Sequence, residues 1–302
     1  MKHCVMVLLA AVSLLPTGLG GCDGGDFANE SSTVEEEARA IRGGGEAWLD
    51  SAVGLTTRQC TIPPGVSPAI CGGLLISPTT VLTAQHCVHL SSVDGCPNGI
   101  DPTQWSTFSV AVGCHNTLTC PAQNWKPLAS QPEFFFEDGH DIAVLHLAEA
   151  VSVKPTRLAS PARLAEIKVG DMVTLHGWGY TSINGPKSEV LKSVSRPIAQ
   201  LPLVLRSGGV DYPVEEVFQT STTENAGAGP GDSGGPTLVF RDGEWFTLGV
   251  IQSGTSATSG NDHALVPYYF DWILSRSQDL PRQSLLSSAQ IHAANSAMML
   301  GA

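Results

Sequence analysis

The sequence predicts an all-β protein, a sandwich or barrel of antiparallel strands, and three observations predict it. Glycine (32) and proline (20) are abundant and punctuate the chain throughout. Between them lie short apolar and β-branched runs rather than long stretches with a helical period. Hydrophobic residues make up 42% and charged residues 15% of 302 residues, enough for a sizeable core and too apolar for global disorder.

The strand-like runs follow in order. They are Val81-Leu82-Thr83, Ser109 to Val112, Ile142 to Leu147, Met172 to Leu175, Thr237 to Phe240 and Trp245 to Ile251. Each is bounded by turn-forming residues, the spacing of an all-β fold. No fixed-period repeat runs through the chain. Phe270 to Leu274 is the one helical start, near the end. The tail 276–302, rich in Ser, Ala and Gln, reads either as a frayed extension of that helix or as disorder.

The first residues read as an export signal spanning 1–21: Lys2 supplies the positive start, and Val5 to Leu15 an apolar run too short to span a bilayer well. Leu19-Gly20-Gly21-Cys22 resembles a bacterial lipobox, in which Cys22 is lipidated and becomes the new N-terminus. The alternative is ordinary cleavage near Gly20 or Gly21, leaving Cys22 a thiol. Residues 22–40 are polar and acidic, with too little apolar content to fold alone, and read as a linker or propeptide. No later segment is long and apolar enough for a membrane helix, so the only membrane contact expected is an N-terminal lipid. The expected location is exported, as a cell-envelope lipoprotein or a secreted protein.

A net charge of −12 lacks the basic footprint of a nucleic-acid binder. Setting aside Cys4 in the signal and Cys22 leaves Cys60, Cys71, Cys87, Cys96, Cys114 and Cys120, an even number suited to an oxidising compartment. None shows C-x-x-C spacing, so neither metal nor cofactor is expected.

Three local patterns carry chemistry: Leu82-Thr83-Ala84-Gln85-His86-Cys87, then Gly139-His140-Asp141-Ile142-Ala143-Val144-Leu145, then Gly231-Asp232-Ser233-Gly234-Gly235-Pro236. A hydroxyl is a weak nucleophile near neutral pH. It needs a base that takes its proton and later returns it to the leaving amine, and imidazole suits both tasks. The base in turn needs a carboxylate to hold its tautomer and orientation. His140 is a poor competitor to His86, because neighbours on a strand point to opposite faces. His89, His115, His146, His176 and His263 show no partner pattern and read as surface or satisfied polar positions.

In the order His86, Asp141, Ser233, these patterns resemble the trypsin/chymotrypsin family of serine proteases. Cys71 to Ile76, Gly177-Trp178-Gly179, Leu191 to Ile198 and Trp272-Ile273 extend the resemblance over residues 41–275. It implies two six-stranded antiparallel β-barrels with a C-terminal helix, and the triad in the cleft between the barrels. It also implies an oxyanion hole from the N–H groups of Gly231 and Ser233, and a Cys71–Cys87 disulfide. Cys60, Cys96, Cys114 and Cys120 then have three connectivities open, with Cys114 and Cys120 close enough to close a small loop.

Ile41-Arg42-Gly43-Gly44 resembles the Ile-Val-Gly-Gly start of mature members, which implies a zymogen. Cleavage after Ala40 would free the Ile41 amine to pair with Asp232. In the specificity pocket, Gly227 stands where trypsin-like members carry an aspartate, with Gly254 and Asn261 in the wall. The expectation is a roomy neutral slot for apolar or aromatic side chains; a one-residue shift would put Asp262 in the wall instead.

The chain departs from the family in two respects. It has no cysteine after Cys120, so the second barrel is expected to hold by packing alone. Gln252 falls where the family usually has a serine near the catalytic aspartate, unless a bulge puts Ser253 there. The expected partners are protein or peptide substrates, and the expected state is a monomer. The competing reading is a catalytically inactive binding module on the protease fold.

Overall fold

A computed structural model describes residues 41–90, 96, 98–135, 140–182, 185–207, 210–223, 226–254, 260–277 and 279–280. The expectations for the signal, Cys22, the acidic segment and most of the tail lie outside these residues. In chain order the first strands are β1 (Gly45–Glu46), β2 (Ala52–Thr57), β3 (Cys71–Ser77), β4 (Thr80–Thr83), β5 (Phe108–Ala111), β6 (Trp125–Pro127), β7 (Glu133–Phe134) and β8 (Ala143–His146). After them come β9 (Arg157–Leu158), β10 (Met172–Gly177), β11 (Lys192–Gln200), β12 (Leu203–Ser207), β13 (Val210–Val214), β14 (Val217–Thr220), β15 (Pro236–Arg241), β16 (Glu244–Gly254) and β17 (Asn261–Leu265). The helices are α1 (Pro161–Leu164) and α2 (Phe270–Arg276).

Each strand-like run of the sequence lies on one of these strands, and the helical start lies on α2. The second half closes as foreseen. Strands β11, β10, β15, β16, β17 and β14 pair in that order, and β14 pairs back onto β11 to complete a six-stranded antiparallel barrel. Strands β1 and β9 are added to its outside. The first half differs from a regular six-stranded barrel. It is a seven-stranded sheet, β6-β5-β2-β3-β4-β8-β7, curled until an isolated bridge between Leu128 and Leu147 joins its flanks. β7 is an outer addition, and closure rests on that one bridge because β6 is only 3 residues long. The β12–β13 hairpin pairs only with itself and had no signal in the reading of the sequence.

Burial explains the sequence pattern. β3 is buried at every position, so Cys71-Gly72-Gly73-Leu74-Leu75-Ile76-Ser77 reads as a continuous run rather than an alternation. Leu74, Leu82, Phe108 and Val144 centre the first core, and Leu175, Phe218, Leu248 and Ile251 the second. The first core continues through Val250 and Ala264 of the barrel to Phe270 and Ile273 of α2. Burying those two helix side chains contributes about 2 kcal/mol each. Asp271 in the first turn and Arg276 in the last match the helix dipole.

The cysteines form Cys71–Cys87, Cys60–Cys96 and Cys114–Cys120, all in the first half. Three disulfides fit an exported protein.

Candidate active site

The site is assembled where the two halves meet. His86 lies in the single 3-10 turn Gln85–Cys87 that follows β4, held to β3 by the Cys71–Cys87 disulfide. Asp141 lies two residues before β8, which pairs with β4 in the register Thr83 to Ala143. That register carries the carboxylate to the imidazole. His86 Nδ1 is 2.7 Å from Asp141 Oδ2, and the His86 backbone N–H donates to Oδ1 at 2.9 Å. Two contacts fix the carboxylate, so Nδ1 carries the proton and Nε2 is left as an acceptor.

Ser233 comes from the loop before β15, and both halves hold it. Gly72 N–H of β3 donates to the Ser233 carbonyl at 2.7 Å, and Gly234 N–H donates to Ile251 O at 2.7 Å. Only glycine permits this approach. A Cβ on Gly72 would stand 2.8 Å from Gly235 Cα, and Gly234 has a φ of +78° with Gly72 O 2.3 Å from where its Cβ would be. The Ser233 hydroxyl points at the Gln252 carbonyl, 3.4 Å away. β16 shifts register against β17 between Ile251 and Ser253, the bulge considered from the sequence. A cavity of about 300 Å³ opens over His86, Ser233 and Gly231.

Asp232 is completely buried behind the serine. Its carboxylate accepts from Gly179 N–H at 2.8 Å and Gly229 N–H at 2.9 Å. Burial pushes this carboxyl up to about 7, against the pull of those two N–H groups and of the Lys187 and Arg42 cations. Ile41 is also fully buried, packed in the second core. The segment that follows it pairs with the loop around Gly227, whose N–H donates to Arg42 O at 3.0 Å.

Arg42 itself corrects one expectation. Its side chain is buried and donates from Nη2 to Ala228 O at 3.2 Å, joining the segment after Ile41 to the backbone next to Gly229. The second barrel therefore has a polar tie besides its packing. The signal was legible as Arg42 standing where the family start has valine.

Gly227, expected at the specificity pocket, lies close against its neighbours. A Cβ on Gly227 would lie 2.6 Å from Asn261 Oδ1 and 2.2 Å from Thr222 Oγ1. Asn261 is fully buried, accepts from Ala228 N–H at 2.9 Å and donates to Ala228 O at 3.2 Å, so its carboxamide is held against the backbone beside Gly227. Asn261 pairs with Gly254 across β16 and β17. Asp262 faces the other way and accepts from Gln219 Nε2 at 2.9 Å.

Of the histidines read as surface or satisfied polar positions, His263 is a satisfied one: it is fully buried and bridges Thr220 Oγ1 and Thr237 Oγ1, each at 2.9 Å. His176 is buried too, and its Nδ1 has no hydrogen-bond partner among the described residues. An alternating strand offers no mark of which polar side chain its tertiary neighbours will cover. His140 meets Tyr269 OH at 2.8 Å, in a cluster with Phe135. Cys71 and Cys87 lie within ligand distance of His86, but a disulfide removes both sulfurs as thiolate ligands for a metal.

A closed barrel beside a curled half-barrel, with His86, Asp141 and Ser233 brought to their junction, defines a chymotrypsin-like protein. The trypsin family model matches residues 56–273, and the chain belongs to that family. It is 29% identical over 230 residues to the proclotting enzyme of Tachypleus tridentatus, covering 69% of this chain and 59% of that protein. It is 30% identical to a tryptase of Mus musculus (67% and 77% covered) and 28% identical to chymotrypsin-C of the same organism (69% and 78% covered).

Proposed function

We propose that the protein is a serine-type endopeptidase that cleaves peptide bonds through an acyl-enzyme on Ser233. The observation that carries the reading is the doubly held Asp141 at His86 Nδ1, with Ser233 in the same cavity. Rotation of the serine side chain away from Gln252 O would bring its hydroxyl toward Nε2, a contact formed when substrate binds. His86 takes the proton as Oγ attacks the carbonyl carbon, and Asp141 stabilises the resulting imidazolium. The carbonyl oxygen becomes an oxyanion held by the N–H groups of Gly231 and Ser233; one such donor is worth about 3 kcal/mol in the transition state. The imidazolium then protonates the leaving amine, and water repeats the sequence on the ester.

Ser233→Ala is expected to lower kcat on a casein-derived peptide pool by about 10⁴-fold or more. The wild type is expected to be labelled by a fluorophosphonate on Ser233. The binding-module alternative requires that neither labelling nor hydrolysis occur.

The same reading includes activation. Cleavage before Ile41 would place a free amine beside the buried Asp232, whose charge needs a partner. Sequencing of the active form is then expected to begin Ile-Arg-Gly-Gly. Full activity of a form retaining residues 23–40 would refute it. Lipidation of Cys22 is tested by mass spectrometry of the membrane fraction, where an unmodified peptide beginning elsewhere would count against it.

A further inference from the structure

The cavity over Ser233 has a second role beyond admitting substrate. None of the slot residues Gly227, Gly254 or Asn261 lines it. Its apolar walls are Ile70, Leu90, Ile100 and Tyr180, with the Cys71–Cys87 bridge and Cys96 of the Cys60–Cys96 bridge behind them. In the proposed reaction the side chain before the cut enters the slot and the carbonyl oxygen faces Gly231. None of the slot residues lines the cavity, so the chain after the cut is expected to leave over it, on the side of Ser233 away from the slot.

One cation lines it. Lys187 reaches in beside the serine loop: a Cβ on Gly231 would lie 3.1 Å from Lys187 Cε and 3.7 Å from Nζ. Its Nζ donates to the Ala69 carbonyl, next to Ile70 of the wall. Three donors on the ammonium against one carbonyl leave capacity for a further acceptor.

We propose that Lys187 selects substrates carrying a carboxylate within the first two residues after the scissile bond, while the apolar walls receive the neighbouring side chain. The inference rests on the endopeptidase reading and names the substrate class of that site. Loss of hydration at Lys187 favours the same partner, since burial pushes its ammonium down to about 8 and an incoming carboxylate would restore the charged form. Asp232 is the acid within its field, but Asp232 already accepts two backbone N–H groups and is itself pushed up by burial.

The test is a set of internally quenched peptides, identical up to the cut, with Glu, Gln or Lys at the first or second position after it. The wild type is expected to favour Glu over Lys by about tenfold in kcat/KM at one of these positions, a typical worth for a partly desolvated ion pair. Lys187→Met should bring the ratio to near one, Lys187→Glu should invert it, and Lys187→Arg should keep it. The ratio is read within each variant, so a change in absolute rate does not obscure it, and the wild-type ratio stands without any variant. Equal rates for Glu and Lys in a wild type that a fluorophosphonate labels, or a preference that survives Lys187→Met, would overturn the role of Lys187 alone. Absence of both labelling and hydrolysis would overturn the endopeptidase reading and this inference with it.

Discussion

Three buried titratable side chains set how the fold responds to acid. Burial pushes His176 from 6.5 down to about 4 and His263 from 6.5 down to about 3, and pushes Asp232 from 3.8 up to about 7. The lowered histidines contribute stability that is present above 6.5 and lost as pH falls toward those values. The raised carboxyl does the reverse: its contribution is full below 3.8 and lost as pH rises through about 7. Between pH 6.5 and 4 the unfolded chain therefore binds two protons at the histidines, while the folded chain binds one at Asp232. The difference of one proton predicts that these groups lower stability by roughly 1 kcal/mol per pH unit of acidification. If the Ile41 amine pairs with Asp232 and keeps it charged, the offset vanishes and the slope becomes about twice as steep. Urea midpoints across that window, for forms with and without residues before Ile41, read both slopes; a flat profile would contradict the neutral buried histidines.

On the proposed reading Asn261 meets the substrate at the same scale. With its carboxamide held beside Gly227, apolar side chains of modest size before the cut are expected to be cleaved in preference to Phe and to Arg. Asn261→Gly should raise the Phe-to-Val ratio of kcat/KM by about tenfold, the worth of one to two methylenes in a pocket. An unchanged ratio would mean that the carboxamide does not limit the slot.

Among the elements, β3 bears most on the candidate site, because it touches the loop after Ser233 by backbone alone. A Cβ on Gly72 meets Gly235 Cα at 2.8 Å and Gly235 N at 2.9 Å, backbone atoms that cannot swing aside. Gly72→Ala must push the loop from β3 and weaken the Gly72 N–H to Ser233 O bond. Overpacking of this kind costs about 1–3 kcal/mol, and a displacement near 1 Å at reacting groups costs about 10²-fold in rate. Melting temperature and kcat should therefore both fall. Gly45→Ala on β1 is the control, since nothing lies within 4 Å of its Cβ position. Equal behaviour of the two variants would show that this contact does not govern the site.

The whole molecule is asymmetric in its crosslinks. All three disulfides lie in the curled first half, while the closed second barrel has Arg42 at Ala228 and the threonine-bridged His263. Losing a native disulfide typically costs about 2–5 kcal/mol. Mild reduction should accordingly raise amide exchange across residues 60–120 before it does so in β15, β16 and β17, and activity should fall with the first change because His86 sits beside Cys87. Simultaneous exchange in both halves would mean that they unfold as one unit.

The sequence by itself determined the strand content, the final helix, and which residues were candidates for chemistry. Those are properties of local pattern: alternation and turn residues mark strands, and short motifs around His86, Asp141 and Ser233 mark reactive side chains. The tertiary structure alone decided the curled, bridge-closed first half, the β12–β13 hairpin, the burial of His176 and His263, Arg42 against Ala228, Asn261 against Ala228 and Lys187 in the cavity. Each depends on which residues distant in sequence become neighbours, as Arg42 and Ala228 or Asn261 and Gly227 do. A side chain's burial, charge partner and reach into a cavity are fixed by those neighbours, and no local period records them.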